Sequence, residues 1–137
     1  MADKLSLTRG PKQPLVKTRS VAYTMTTATQ LATLPKGARI LALVLSGSAA
    51  TTATTATLSI GNTATATEYV NAVNVLAAGV GNGTSVLAGV AGAIGGVLTA
   101  DTPIYAKYAE SGGTSTTGTW KLHIVYTTGN SINDDTL

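Results

Sequence analysis

Alternation of apolar and hydroxyl-bearing residues is the strongest pattern in the chain. In residues 55–60, which read TATLSI, alanine, leucine and isoleucine alternate with threonine and serine. A period of two is typical of a β-strand that buries one face, and β-branched threonine suits the exposed side of a pleat. The pair Gly61-Asn62 follows as a turn signal, and the alternation resumes over 63–67. The pattern predicts a β-hairpin with one apolar and one hydroxyl-rich face, and leaves disorder as an alternative mainly for 48–54.

The same alternation predicts further strands over 21–26, 102–108 and 120–127. Residues 40–45 (ILALVL) form a continuous apolar run between turn residues, which predicts a central strand buried on both faces. No segment has a convincing helical period. Residues 69–100 stay open between strand, short helix and interface loop.

Seven or eight short strands separated by Gly-, Thr- and Asn-rich turns are typical of an all-β sandwich or barrel. We predict an antiparallel β-sandwich, with a jelly roll as its specific form, although strand counting does not separate it from an immunoglobulin-like sandwich. A length of 137 residues indicates one folded domain. We expect an extended basic N-terminal arm (1–20), a sandwich domain (21–129) and a flexible acidic C-terminal tail (130–137).

Composition favours a folded chain with a core of small side chains. Hydrophobic residues make up 44% of the chain and charged residues 11%, the opposite of a typical disordered sequence. There is no Phe and only one Trp, so each core residue buries little area and a partner or a second copy is expected to add burial. The absence of Cys excludes disulfides and thiol chemistry and fits assembly in a reducing cytoplasm.

Charge and hydropathy along the chain suggest a basic arm and argue against a membrane segment. Most cations lie in the first third, where they suit an acidic protein surface or nucleic acid, or simply a solvated terminus. The start of the chain has no apolar stretch of the kind found in secretory signals. The apolar run 86–100 is shorter than the ~20 residues that span a bilayer and is interrupted by glycines. We expect it to be a buried or interface loop with a short strand.

Candidate catalytic and metal-binding groups are sparse, so we predict no enzyme, no cofactor and no metal site. The single histidine, His123, falls mid-strand and cannot form a His-rich metal site. Glu68, Asp101 and Glu110 stand at predicted strand ends. These carboxylates would form a pair for acid–base chemistry only if the fold brought two of them close together. We interpret them instead as charges at strand ends that block edge-to-edge aggregation.

Two weaker motifs concern nucleotides and nucleic acids. The glycine-rich segment 79–83 lacks the Lys-Ser/Thr ending of a phosphate-binding loop. Tyr105, Lys107 and Tyr108 form the one aromatic and basic cluster, which suits a protein–protein contact at least as well as base stacking. We therefore predict no small-molecule substrate and no nucleic-acid partner for the folded body.

Three segments resemble small structural proteins of tailed double-stranded DNA phages: 34–47 (LPKGARILALVLSG), 55–75 and 98–129. More narrowly, the chain resembles the jelly-roll capsid cement, or decoration, proteins of these phages. The features that carry the resemblance are Thr/Ala/Gly-rich strands, a T-x-T-E-Y-V turn at 65–70 and a D-T-P-I-Y-A strand at 101–106.

The resemblance implies a protein that binds the exterior of an assembled head and bridges neighbouring major capsid proteins. It implies a homodimer or homotrimer located on the virion, assembled in the host cytoplasm. We hypothesise that the arm lies along the capsid and pairs with its acidic residues through four cations: Arg9, Lys12, Lys17 and Arg19. The alternative is a tail or fibre module of the virion that recognises a cell-surface glycan.

Overall fold

The computed structural model describes residues 13–90 and 92–128. These residues form eight β-strands, and no helix occurs among them, so none there is long and apolar enough to cross a bilayer. The strands are β1 (Leu15–Ala22), β2 (Thr29–Leu34), β3 (Arg39–Ser48), β4 (Thr55–Gly61), β5 (Val70–Asn74), β6 (Gly83–Val86), β7 (Thr102–Ser111) and β8 (Thr119–Thr127).

The strands form two antiparallel four-stranded sheets that pack face to face. Sheet A has the order β1-β8-β3-β6, and sheet B has the order β2-β7-β4-β5. The first two strands of an immunoglobulin-like sandwich lie side by side in one sheet, whereas β1 and β2 lie in different sheets. The all-β antiparallel sandwich is thus confirmed, and the eight-stranded order matches a jelly roll.

The core lies between the two sheets and is built by the inward half of each alternating strand. Its members are fully or almost fully buried aliphatic and aromatic side chains: Val21, Leu34, Ile40, Leu43, Leu45, Leu58, Ile60, Ile104, Tyr108, Trp120, Leu122 and Ile124. Tyr108 of sheet B stacks on Trp120 of sheet A with 6.1 Å between ring centroids. Trp120 also donates its Nε1–H to the carbonyl of Gly81 at 3.1 Å. This contact gives the large indole a hydrogen-bond partner inside an apolar core.

The strand over 40–45 is central, as predicted, but it is buried on one face only. β3 lies between β8 and β6. A β-bulge places two residues, Leu41 and Ala42, between the inward-facing Ile40 and Leu43. Leu41 is consequently 45% exposed, on the side of the sheet away from the core. The prediction of two buried faces was wrong because a continuous apolar run does not reveal whether a second layer covers the strand.

The hairpin predicted over 55–67 is correct in its first strand and wrong in its second. β4 runs over Thr55–Gly61, but 63–67 form a loop, and the partner strand is β5 at Val70–Asn74. Ala66 adopts a left-handed conformation (φ 55°), which interrupts the extended backbone that the alternation predicts for 63–67. The polar groups of this loop bond to Glu68 instead of to a neighbouring strand.

The N-terminal strand begins earlier than the alternation predicts. β1 pairs with β8 over its whole length, from Leu15 opposite Tyr126 to Ala22 opposite Thr119. It therefore overlaps the last six residues of the expected arm, 15–20. The strand predicted over 21–26 keeps only its first two residues, since turns and bends follow Ala22. Within 69–100, where the prediction stayed open, the described residues form β5, β6 and loops.

Candidate interaction surface

The outer face of sheet A, on the side away from the core, carries a cluster of apolar side chains. Register places Val16 of β1 opposite Val125 of β8, which in turn lies opposite Ala42 of β3. In the neighbouring row, Val44 lies between His123 and Val86. We call this surface the A face and define it by Val16, Leu41, Val44, Val86, His123 and Val125.

His123 connects β8 with both of its neighbouring strands, the edge strand β1 and the central strand β3. Its Nδ1 lies 3.0 Å from the hydroxyl of Thr18 on β1, and its Nε2 lies 2.9 Å from the hydroxyl of Ser46 on β3. Because both ring nitrogens meet hydroxyl groups, the imidazole is held across three strands. His123 is therefore held by hydrogen bonds within its own sheet.

Next to the A face, the outer surface of sheet A is polar and recessed. Lys121 donates from Nζ to the Ser20 hydroxyl at 2.6 Å. This pair and neighbouring residues of β1, β3 and β8, including Trp120, line an open cleft of about 430 Å³. Among the described residues that line the cleft, Lys121 alone is charged.

The outer face of sheet B, which we call the B face, is rich in hydroxyl, amide and charged groups. Thr57, Ser59, Asn74, Tyr105 and Lys107 occupy its outward positions. In the described residues, six large hydrophobic side chains are well exposed, and none of them belongs to a strand of sheet B. The predicted hydroxyl-rich face thus exists on the outward side of β4, and it extends over neighbouring strands of sheet B.

Two of the four cations predicted to contact a capsid lie on β1, where they reach across to sheet B. Arg19 donates from Nε to the Leu31 carbonyl at 2.9 Å, and Lys17 donates from Nζ to the Thr33 carbonyl at 3.4 Å. Both carbonyls belong to β2, an edge strand of sheet B. Basic side chains over a strand edge discourage pairing with another chain. Arg9 and Lys12 lie outside the described residues.

The Glu68 carboxylate holds the loop between β4 and β5 in place through hydrogen bonds. Its carboxylate accepts the N–H groups of Asn62 and Thr63 and the hydroxyls of Thr63 and Thr65, at 2.6–3.2 Å. Burial raises the pKa of Glu68, but these hydrogen bonds outweigh it and lower the pKa to about 2. A side chain at Gly61 would collide with the carboxylate, so glycine leaves room for this contact.

Glu110 and Asp101 hold two other loops. The Tyr108 hydroxyl donates to Glu110 Oε1 at 2.8 Å, and the Ser115 N–H also points to this carboxylate. The bond from Tyr108 lowers the pKa of Glu110, while burial raises the pKa of Tyr108. Asp101 accepts the backbone N–H of Lys36 at 2.9 Å. Sequence reasoning located these carboxylates at strand ends but missed that each one bonds backbone N–H groups of a nearby loop.

Each of the three candidate carboxylates in the described residues bonds loop groups of its own chain. Among residues 13–90 and 92–128, no group of three or more His, Asp or Glu side chains is placed to hold a metal ion. The aromatic and basic cluster also separates, because Tyr108 is buried in the core while Tyr105 and Lys107 point to the B face. The three residues therefore do not form one surface cluster.

Solved structures that are similar to this chain include chains of two phage capsids. One is a chain of the cyanophage Pam1 capsid asymmetric unit, with 25% sequence identity, a TM-score of 0.69 and coverage of 87% of each chain. The other is a chain of the acid-stable capsid of Helicobacter pylori bacteriophage KHP30, with 15% identity, a TM-score of 0.58 and coverage of 85% of this chain and 93% of that chain. The second likeness concerns the fold alone. No protein-family model matches the chain, and no curated protein matches it.

Proposed function

We propose that this protein is a structural component of a phage virion that binds the outer surface of the head and stabilises the capsid by bridging major capsid proteins. The observation that carries the proposal is the likeness to a chain of the Pam1 capsid asymmetric unit over 87% of both chains. The sequence resemblance to cement proteins supports the finer part, which is exterior binding and bridging.

The physical basis of this function is burial of surface between subunits. A protein that binds the assembled shell and not its separated subunits shifts the equilibrium toward the assembled shell. The described carboxylates and His123 all bond groups of their own chain. These side chains therefore serve the fold, which suits a binding protein better than an enzyme.

The experiment uses particles made without this protein, to which the purified chain is added. We expect cryo-electron microscopy to show added density on the head exterior and at seams between major capsid proteins. We also expect the decorated heads to release DNA at a higher temperature than bare heads. Density confined to the tail or its fibres would contradict the proposal and favour the glycan-binding alternative.

The basic residues near the N-terminus belong to the same proposal, as contacts to acidic residues of the shell. Lys17 and Arg19 also bond backbone carbonyls of β2. Substituting them would therefore disturb the fold as well as any contact with the shell. The variant Arg9→Ala/Lys12→Ala therefore tests the contact more cleanly. We expect it to co-sediment with bare heads less than wild type does, most clearly at low salt. Equal co-sedimentation would exclude these two residues as contacts.

The proposal also includes self-association of this chain into a dimer or trimer. Light scattering coupled to size exclusion measures the mass of the purified chain directly. We expect a homodimer or homotrimer, as the resemblance to cement proteins implies. A stable monomer at the concentration that decorates heads would contradict this part alone.

A further inference from the structure

We propose that the A face is the surface that docks on the shell, against an apolar patch of the major capsid protein bordered by carboxylates. This inference rests on the proposed function and adds to it the face that binds and the chemistry of its partner.

The first argument is the concentration of exposed apolar side chains on one face. Val86 is 71% exposed, Val16 is 56% exposed and Leu41 is 45% exposed. They come from three different strands, β6, β1 and β3, and only the order of sheet A brings them to the same side. Scattered single hydrophobic residues on a surface are ordinary, but a contiguous apolar patch with a polar border marks an interaction site.

The second argument comes from the bulge in β3. The inward residues keep their register on both sides of it, with Ile40 opposite Tyr126 and Leu43 opposite Ile124. β3 therefore has one residue more than β8 between these two pairs, and the exposed Leu41 lies in this added stretch. A large aliphatic side chain that points away from the core adds little to the stability of the fold. Its apolar character instead suits contact with an apolar surface of a partner.

The third argument is charge. Lys121 and Arg39 occupy outward positions on the A face or at its border. The three carboxylates among the described residues, Glu68, Asp101 and Glu110, lie in loops or at the ends of other strands and accept hydrogen bonds from their own chain. Within the described part of the chain, the A face therefore presents cations without carboxylates, and its complement is an acidic border.

The same charges argue against a second copy of this chain as the occupant. A two-fold contact places the same patch on both sides of the interface. Two A faces in contact would bring the cations of both copies into one interface with no described carboxylate to compensate them. Like charges brought together in this way oppose association.

The test compares two triple variants that carry the same number of new serines. Val16→Ser/Leu41→Ser/Val86→Ser removes apolar area from the A face, and Thr57→Ser/Tyr105→Ser/Ala109→Ser is the matched control on the B face. All six positions lie outside the core, and circular dichroism with thermal melting checks that both variants fold. We expect the A-face variant to bind bare heads at least about tenfold more weakly than wild type, and the B-face variant to bind within about twofold.

A charge variant tests the acidic border separately. Arg39→Glu/Lys121→Glu should weaken binding to bare heads by about tenfold or more, and added salt should weaken wild-type binding. If this variant binds bare heads as tightly as wild type does, the inference of an acidic border on the partner is wrong.

The outcomes separate this inference from the proposed function. If wild type does not bind heads, the proposed function fails. If wild type binds and the A-face variant binds equally well, the function stands and the A face is not the docking surface. If the A-face variant loses self-association but keeps its binding to heads, the A face joins copies of this chain, which also overturns the inference.

Discussion

The two outer faces of the sandwich differ although the two inner faces are alike. Leu43 and Ile124 of sheet A and Leu58 and Ile104 of sheet B are all fully buried between the sheets. On the outside, the A face of sheet A presents valine and leucine beside a polar end with Ser20, Ser46 and Lys121. The outward positions of sheet B are occupied mainly by polar residues such as Thr57, Ser59 and Asn74. The core requires only one face of each strand, so the other face is free to meet either water or a partner.

The difference in the outer faces carries the functional argument. An antiparallel sheet with one solvated face normally alternates apolar and polar residues, as sheet B does. Sheet A departs from that pattern in three strands at once, at Val16, Val44 and Val125. Because these outward apolar residues occur in several strands, they reflect what the surface contacts and are not a local irregularity of one strand.

The largest expected effect separates the inner and outer positions of one strand. Leu43→Ala should lower the free energy of unfolding by about 2–5 kcal/mol, because Leu43 is fully buried and its loss leaves a cavity. Val44→Ala, one residue further on and only half-buried, should cost less than about 1 kcal/mol. Urea unfolding of both variants measures the difference. Equal costs would mean that the A face is covered in the isolated protein.

The next largest effect on the free energy of unfolding concerns the hydrogen bonds of Glu68 in the loop between β4 and β5. Glu68→Ala should lower the free energy of unfolding by about 1–2 kcal/mol, since it removes hydrogen bonds to a charged group that is partly exposed. The folded pKa of about 2 lies below the ordinary value of 4.5. Wild type should therefore keep this stabilisation above about pH 5 and lose it progressively as the pH falls toward 2. Unfolding curves across this range should converge for the two proteins at low pH.

A smaller effect is expected where β1 covers the edge of β2. Lys17→Met/Arg19→Met removes the bonds to the Leu31 and Thr33 carbonyls and should cost about 1 kcal/mol. It should also increase aggregation, because the strand edge loses its charged cover. Lys107→Met on the B face is a control for loss of a cation away from this strand edge. Light scattering on heating should rise earlier for the double variant than for the control.

The smallest effects on stability come from exchanging single outward residues between the faces. Val44→Thr and Thr57→Val keep the branched shape of the side chain at partly buried positions and should each alter the free energy of unfolding by less than about 1 kcal/mol. Only Val44→Thr should weaken binding to heads. A larger loss of binding with Thr57→Val would reverse the assignment of the two faces.

Several features were predictable because they depend on neighbours in sequence. Alternation within 55–60 and 120–127 identifies β4 and β8, since side chains of an extended strand point to opposite sides in turn. The hydroxyl-rich face follows from the same pattern. The loop at 63–67 was not predictable from alternation, because its conformation depends on the carboxylate of Glu68 and the left-handed Ala66.

Local sequence was thus sufficient for an all-β sandwich, because strand periodicity repeats over a few residues and needs no long-range information. The strand order, the start of β1 and the apolar A face were decided by pairings between distant residues, such as Val16 with Val125 and Val44 with Val86. Each valine alone is an ordinary strand residue. Only the folded sheet brings them to one side, since their proximity depends on register and on which layer covers each face.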